Sequence, residues 1–98
     1  MRDIEKIKKI ISYIVTDGEV GGENYRGFYF IPLYLFEKIH KIITGEYHGG
    51  GMEGVFPVLI RYIKEHSEAF SLFGVTVDID AEGDYDIFYN GKILRSVS

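Results

Sequence analysis

The last quarter of the chain alternates between apolar and polar residues, a pattern that predicts β-strands. Residues 75–80 and 85–89 carry an apolar side chain at every second position, and residues 93–97 form a third β-prone run. Asn90-Gly91 connects the last two runs and is the dipeptide that two-residue type I′ hairpin turns favour. Because successive side chains of a strand point to opposite faces, these residues predict a three-stranded antiparallel meander with one apolar face.

The turns also predict the register of these strands. A three-residue loop at residues 82–84 places Ile79 opposite Ile87, and the Asn90-Gly91 turn places Asp86 opposite Arg95. A slip of one residue would mix apolar and charged side chains on each face. The expected apolar face carries Val75, Val77, Ile79, Tyr85, Ile87, Tyr89 and Leu94, and the expected opposite face carries Asp78, Asp80, Asp86 and Arg95.

Three segments have the apolar spacing of amphipathic helices. Asp3 is the expected N-cap of the first, and Pro32 and Pro57 suit the opening positions of the second and third. The second helix is apolar nearly all round, which predicts a central place in the core or contact with a second subunit, and hence a homo-oligomer. The expected helices cover residues 3–17, 32–44 and 56–71.

Together these elements predict a single α+β domain over residues 1–98, with three helices packed on one face of a small antiparallel sheet. Residues 25–31 are aromatic and β-prone, and they are expected to form a further strand that could join this sheet. Residues 45–54 are expected to be a glycine-rich loop. A chain of 98 residues fits one domain, because two separate cores would each be marginal.

Composition limits the compartment and the kinds of site. The chain has no cysteine, which excludes disulfides and cysteine-based metal or nucleophile sites. No apolar run reaches the roughly 18–20 residues that cross a bilayer, and the charge-rich start of the chain is unlike a signal peptide. We therefore expect a cytoplasmic protein with no membrane partner.

The acidic character of the chain is concentrated in one hairpin. Residues 1–49 carry seven Lys or Arg and seven Asp or Glu, whereas residues 50–98 carry four and eight and hold the whole net charge of −4. Aligned carboxylates attract a basic partner and speed its association. Net negative charge opposes binding to phosphates, so nucleic acid is not an expected partner. The five carboxylates of the hairpin are Asp78, Asp80, Glu82, Asp84 and Asp86.

This hairpin predicts a small acidic binding or inhibitor protein, without enzymatic activity, that engages a protein partner with a basic surface. A protein that occupies a nucleic-acid-binding groove presents such a row of carboxylates in place of phosphates. An inhibitor from a mobile element is one setting for such a chain. The alternative interpretation is purely structural: a charged, solvated sheet face on which Arg95 partly neutralises Asp86.

Two short motifs partly resemble known sites. Asp78, Asp80 and Glu82 stand where the calcium loop of EF-hand proteins has its first three ligands. Tyr89 replaces the final bidentate glutamate of that loop, and the flanks are predicted strands rather than helices. Residues 26–31 resemble the aromatic motif of RNA-recognition domains, but only one helix precedes them. No metal site and no cofactor is expected.

The glycine-rich loop offers a second candidate site. Glycines before a helix N-terminus can turn backbone N–H groups toward an anion, which predicts a small anionic-ligand or nucleotide site at loop 45–54 and the start of the third helix. Residues 48–51 also resemble the oxyanion-hole motif of lipases, but the nucleophile motif Gly-x-Ser-x-Gly is absent, and no catalytic residue is assigned. The candidate ligand-binding residues are Tyr47, His48, Gly49, Gly50 and Gly51.

Overall fold

The computed structural model describes residues 2–16, 27–47, 49 and 51–97. In these ranges the chain forms four helices and four strands, and the helices pack against the sheet, which confirms the predicted α+β class. In chain order the elements are α1 (Asp3–Thr16), β1 (Phe28–Pro32), α2 (Leu33–Thr44), α3 (Met52–Glu65), α4 (Ser67–Ser71), β2 (Val75–Ile79), β3 (Tyr85–Tyr89) and β4 (Lys92–Val97).

The four strands form one mixed sheet in the order β1-β4-β3-β2. β2, β3 and β4 make the predicted antiparallel meander, and Asn90 and Gly91 have the positive φ angles of the expected turn, at 49° and 81°. β1 joins the sheet beside β4 but runs parallel to it, with Phe28 opposite Ile93. The sheet is therefore mixed rather than purely antiparallel, because the long chain segment between β1 and β4 allows a crossover connection.

The turn between β2 and β3 is longer than the sequence predicts. Ile79 pairs with Tyr85 rather than with Ile87, so residues 80–84 form a five-residue loop and the predicted register is wrong by two residues. The longer loop lets the Asp80 side chain close the turn by hydrogen bonds to the backbone. A shift of two residues keeps each side chain on its predicted face.

The helix boundaries differ most from the prediction in the third helix. α3 begins at Met52, more than one turn before Pro57. Val55 lies in the added turn and is fully buried, and its burial favours the longer helix. His66 ends α3 because its backbone is not helical, with φ −122° and ψ 38°. The single helix predicted at residues 56–71 is therefore two helices, α3 and α4.

The other elements begin and end close to their predicted positions. Asp3 is the first residue of α1 rather than its N-cap, and Pro32 ends β1 in extended conformation before α2. The earlier start of α3 shortens the glycine-rich loop to residues 45–51. The last residue of the first predicted helix, 17, and the first two residues of the predicted strand, 25 and 26, lie outside the described residues.

The core lies between the helices and the apolar face of the sheet. α2 buries one side only: Leu35, Phe36 and Ile39 are buried, whereas Tyr34 is 57% exposed. A homo-oligomer that uses this helix remains a prediction. Every helix and strand contributes a fully buried side chain, and together these are Ile10, Ile14, Ile31, Phe36, Ile39, Val55, Leu59, Ile63, Phe70, Val75, Ile87 and Leu94.

Two buried tyrosines differ in how their hydroxyl groups are bonded. The Tyr29 hydroxyl donates to the Ile14 carbonyl at 2.9 Å, near the end of α1, where carbonyls lack helical partners. The Tyr62 hydroxyl is shielded from solvent and has no hydrogen-bond partner among the described residues. Burial, and then the negative charges of Asp3 and Glu65, raise the pKa of Tyr62 above its ordinary value of 10.0. Asp3 acts through its charge, since the geometry of a hydrogen bond to the phenol is not met.

Replacing Tyr62 with Phe is expected to stabilise the protein by about 1 kcal/mol at neutral pH, because it removes a buried polar group that has no partner. The matched control Tyr29→Phe removes the same atom from a bonded phenol and is expected to cost about 1 kcal/mol. Urea unfolding at neutral pH measures both changes. Equal destabilisation by the two substitutions would contradict the assignment of Tyr62 as the unpaired hydroxyl.

The raised pKa of Tyr62 also predicts a pH dependence. The folded state holds the phenol proton more tightly than the unfolded state does. The stability that comes from this tighter proton binding is therefore fully present below the unfolded pKa, and it is lost as the pH rises through the folded pKa. Urea unfolding across the alkaline range should show this loss in the wild type and a smaller loss in Tyr62→Phe. Identical alkaline profiles would contradict the shift.

Candidate functional site

One aspartate closes the loop between β2 and β3. Asp80 Oδ1 accepts hydrogen bonds from the backbone N–H groups of Glu82 and Asp84, at 2.8 and 3.0 Å. The Asp80 N–H donates to the Asp84 carbonyl at 2.7 Å, and Gly83 supplies the positive φ of 90° that the turn needs. Asp80 is therefore a structural residue of the turn, and it holds the backbone beneath the exposed Glu82 and Asp84 side chains.

The ladder between β3 and β4 is interrupted close to its turn. Only the two pairs nearest Asn90-Gly91 form, and the ladder ends with Phe88 opposite Ile93. In a regular antiparallel ladder, the backbone N–H of Ile87 would be the next to donate across the strands. It donates instead to Oδ1 of Asp86, at 2.9 Å.

The Arg95 side chain spans this interruption. Its Nη1 donates to Asp86 Oδ1 at 2.7 Å and to the Leu94 carbonyl at 3.0 Å. Its guanidinium also lies 5.9 Å from the ring centres of both Phe28 and Phe56. The predicted contact between Asp86 and Arg95 is confirmed, but Asp86 is only 3% exposed. Asp86 is thus an internal residue rather than a member of a solvent-facing row.

Asp86→Ala is expected to lower the free energy of unfolding by about 2–3 kcal/mol, because the Arg95 guanidinium and the Ile87 N–H lose their shared acceptor. The Arg95 side chain is 38% exposed, so water replaces part of the lost interaction. Asp84→Ala removes an exposed carboxylate from the same hairpin and is expected to change stability by no more than about 0.5 kcal/mol. Chemical denaturation of both variants tests this difference, and similar losses would contradict it.

Two apolar side chains stand at the exposed end of the same hairpin. Ile79 and Tyr85 pair across β2 and β3, and they are 56% and 52% exposed. The Lys64 ammonium lies 3.9 Å from the centre of the Tyr85 ring, a cation–π contact that holds the ring against α3. Beside it opens a mainly apolar cleft of about 550 Å³, lined by Pro57, Ile60, Arg61, Lys64, Glu65 and Tyr85.

The structure divides the five predicted partner-binding carboxylates into two groups. Asp80 accepts hydrogen bonds that hold the turn, and Asp86 accepts hydrogen bonds where the ladder between β3 and β4 is interrupted. Asp78, Glu82 and Asp84 are exposed, and no ion pair joins them to a cation in the described part of the chain. The hairpin tip (residues 78–85) therefore brings three exposed carboxylates together with an exposed apolar pair.

Sequence reasoning missed the apolar half of the hairpin tip. Alternation assigns Ile79 and Tyr85 to the core, and the structure shows that more than half of each side chain is exposed. They lie on the same face as the buried Val75 and Ile87, but at the end of that face next to the charged loop. Their position at the end of the strands could have indicated this exposure, because a helix that covers a sheet face does not have to reach the turn.

The structure describes only part of the second predicted site. Tyr47 is 60% exposed, and the Lys41 ammonium lies 4.5 Å from the centre of its ring. Gly49 lies in an exposed turn, and Gly51 precedes α3 with a φ of 84°. The other two predicted ligand-binding residues, 48 and 50, lie outside the described residues. An anion site at this loop remains a prediction.

Among the described residues, no three His, Asp or Glu side chains converge as a metal site would require. No described helix has both the length and the apolar character needed to cross a membrane. Comparisons with protein-family models, with curated proteins and with solved structures find no match to this chain. Its function must therefore be inferred from its own geometry.

Proposed function

We propose that this chain is a small, non-enzymatic binding protein that engages a basic protein partner through its hairpin tip. The observation that carries the proposal is the Ile79–Tyr85 pair, which is more than half exposed and bordered by exposed carboxylates. Protein interfaces commonly combine a central apolar or aromatic anchor with a polar rim. The hairpin tip supplies both parts within eight consecutive residues.

The aromatic side chain of the hairpin tip is held in position before any partner arrives. Lys64 packs over the Tyr85 ring, and the cleft beside that ring gives the partner apolar surface on α3, including Ile60. A side chain that is already ordered loses less conformational entropy when it binds. Tyr85 is therefore suited to the role of anchor, with Ile79 beside it in the opposite strand.

The carboxylates define the charge of the partner. Asp78, Glu82 and Asp84 are exposed and make no ion pair among the described residues. Complementary charge speeds association and disfavours acidic partners. A basic protein surface that otherwise binds a polyanion meets these requirements. We propose that the hairpin tip inhibits its partner by covering such a surface.

The first test identifies the partner and measures how fast it binds. A photo-crosslinking residue at position 82 would capture proteins from an extract of the source cells, and the purified partner would then be followed by surface plasmon resonance. Glu82→Gln with Asp84→Asn should slow association by about tenfold at low salt and by less at high salt, because screening weakens steering. Ile79→Thr should weaken affinity by about tenfold, mainly through faster dissociation.

The matched control is Glu53→Gln with Glu68→Gln, which makes the same change in net charge at exposed positions on α3 and α4. The control should leave both rate constants close to those of the wild type, and all variants should keep the wild-type melting temperature. An equal effect of the two charge variants, or unchanged binding by Ile79→Thr, would refute binding through the hairpin tip.

A further inference from the structure

A cleft between α1 and α2 is lined mainly by basic and aromatic side chains. Its volume is about 360 Å³, within the usual range of small-molecule sites. It lies apart in sequence from the hairpin tip and belongs to the half of the chain whose formal charges sum to zero. The lining residues are Lys6, Lys9 and Tyr13 of α1, Lys38, Lys41 and Ile42 of α2, and Tyr47 beyond the end of α2.

Helical spacing brings these cations together. Lys6 and Lys9 are three residues apart on α1, and Lys38 and Lys41 are three apart on α2, so each pair lies on one side of its helix. The packing of α1 against α2 then places the two pairs around one cleft. No ion pair joins any of the four lysines to a carboxylate within the described ranges. Four like charges therefore share one small cleft without a neutralising partner there.

Aromatic rings hold two of the lysines without neutralising them. The Lys41 ammonium lies 4.5 Å from the centre of the Tyr47 ring. The Lys38 ammonium lies 5.9 Å from the centre of the Tyr13 ring and 5.6 Å from that of Tyr34. Cation–π contacts orient an ammonium but leave its charge available to an anion. The cleft thus offers positive charge and flat aromatic surface side by side.

We propose that this cleft binds a free nucleotide that carries two or more phosphates. Clustered phosphates put several negative charges within a few ångströms, which matches four lysines better than the spaced carboxylates of an acidic peptide do. Lys is a common phosphate ligand that acts as a point charge. Aromatic side chains stack on bases of any identity, and Tyr47 is exposed enough to do so. This site is independent of the proposed function and shares only Tyr47 with the predicted glycine-loop site.

Isothermal titration calorimetry with ATP, tripolyphosphate and adenosine tests this assignment at low salt. ATP should bind most tightly, tripolyphosphate more weakly, and adenosine without detectable heat. Lys9→Gln and Lys41→Gln should each weaken ATP binding by about tenfold, since each removes one charge-assisted contact. Tyr47→Leu should weaken the binding of ATP more than that of tripolyphosphate, because ATP loses the stacking surface as well as the ring that orients Lys41.

Lys8→Gln is the matched control for Lys9→Gln. Lys8 is the adjacent residue of α1, it is also exposed, and it does not line the cleft. The control should bind ATP as the wild type does. An equal loss of ATP affinity in Lys8→Gln and Lys9→Gln would show that ATP responds to general surface charge, and it would overturn the site. The absence of any heat with ATP would also overturn it. A labelled oligonucleotide that binds more tightly than ATP and is not displaced by it would overturn the assignment to a free nucleotide.

Discussion

The contact between Asp86 and Arg95 is the interaction on which the geometry of the sheet depends. The ladder between β3 and β4 ends after two pairs, and this contact holds the strands together beyond that point. Burying a carboxylate lowers stability unless its oxygen atoms accept hydrogen bonds or pair with a cation. Asp86 Oδ1 accepts from both Arg95 and the Ile87 N–H, so its charge is compensated locally. The Arg95 guanidinium also lies near rings of β1 and α3, so four elements meet around it.

The hairpin tip depends on this internal contact because Asp86 directly follows it in the chain. Tyr85 immediately precedes Asp86 in β3, so the position of Asp86 sets where the Tyr85 ring lies. From there the ring contacts Lys64 of α3, which couples the free end of the hairpin to a helix. Two contacts at adjacent residues, Tyr85 with Lys64 and Asp86 with Arg95, thereby tie the end of β3 that carries the exposed apolar pair to α3 and β4. Precise placement of this kind reduces the entropy lost on binding.

Sequence reasoning predicted the elements that depend on local patterns and missed those that depend on distant contacts. Strand alternation and the Asn90-Gly91 turn predicted the meander, and isoleucine spacing predicted α1. The parallel pairing of β1 with β4 could not be predicted in this way, because β-propensity does not specify which strand edge is available. The loop before Tyr85 has five residues rather than the predicted three, because the Asp80 side chain forms hydrogen bonds within its own turn. The basic cleft is visible in sequence only if the packing of α1 on α2 is already known.

Carboxylates that are close in sequence therefore do not form a single surface. They differ in whether their oxygen atoms already accept hydrogen bonds within the fold. Asp80 and Asp86 accept backbone and guanidinium hydrogen bonds that the fold needs. Asp78 is intermediate, because it is exposed and yet accepts the Ile79 N–H at 2.7 Å. This N–H belongs to a strand at the edge of the sheet, and satisfying it makes the edge less able to pair with another strand. Glu82 and Asp84 of the loop, together with the exposed Asp78, then present negative charge to a partner directly beside the exposed apolar pair.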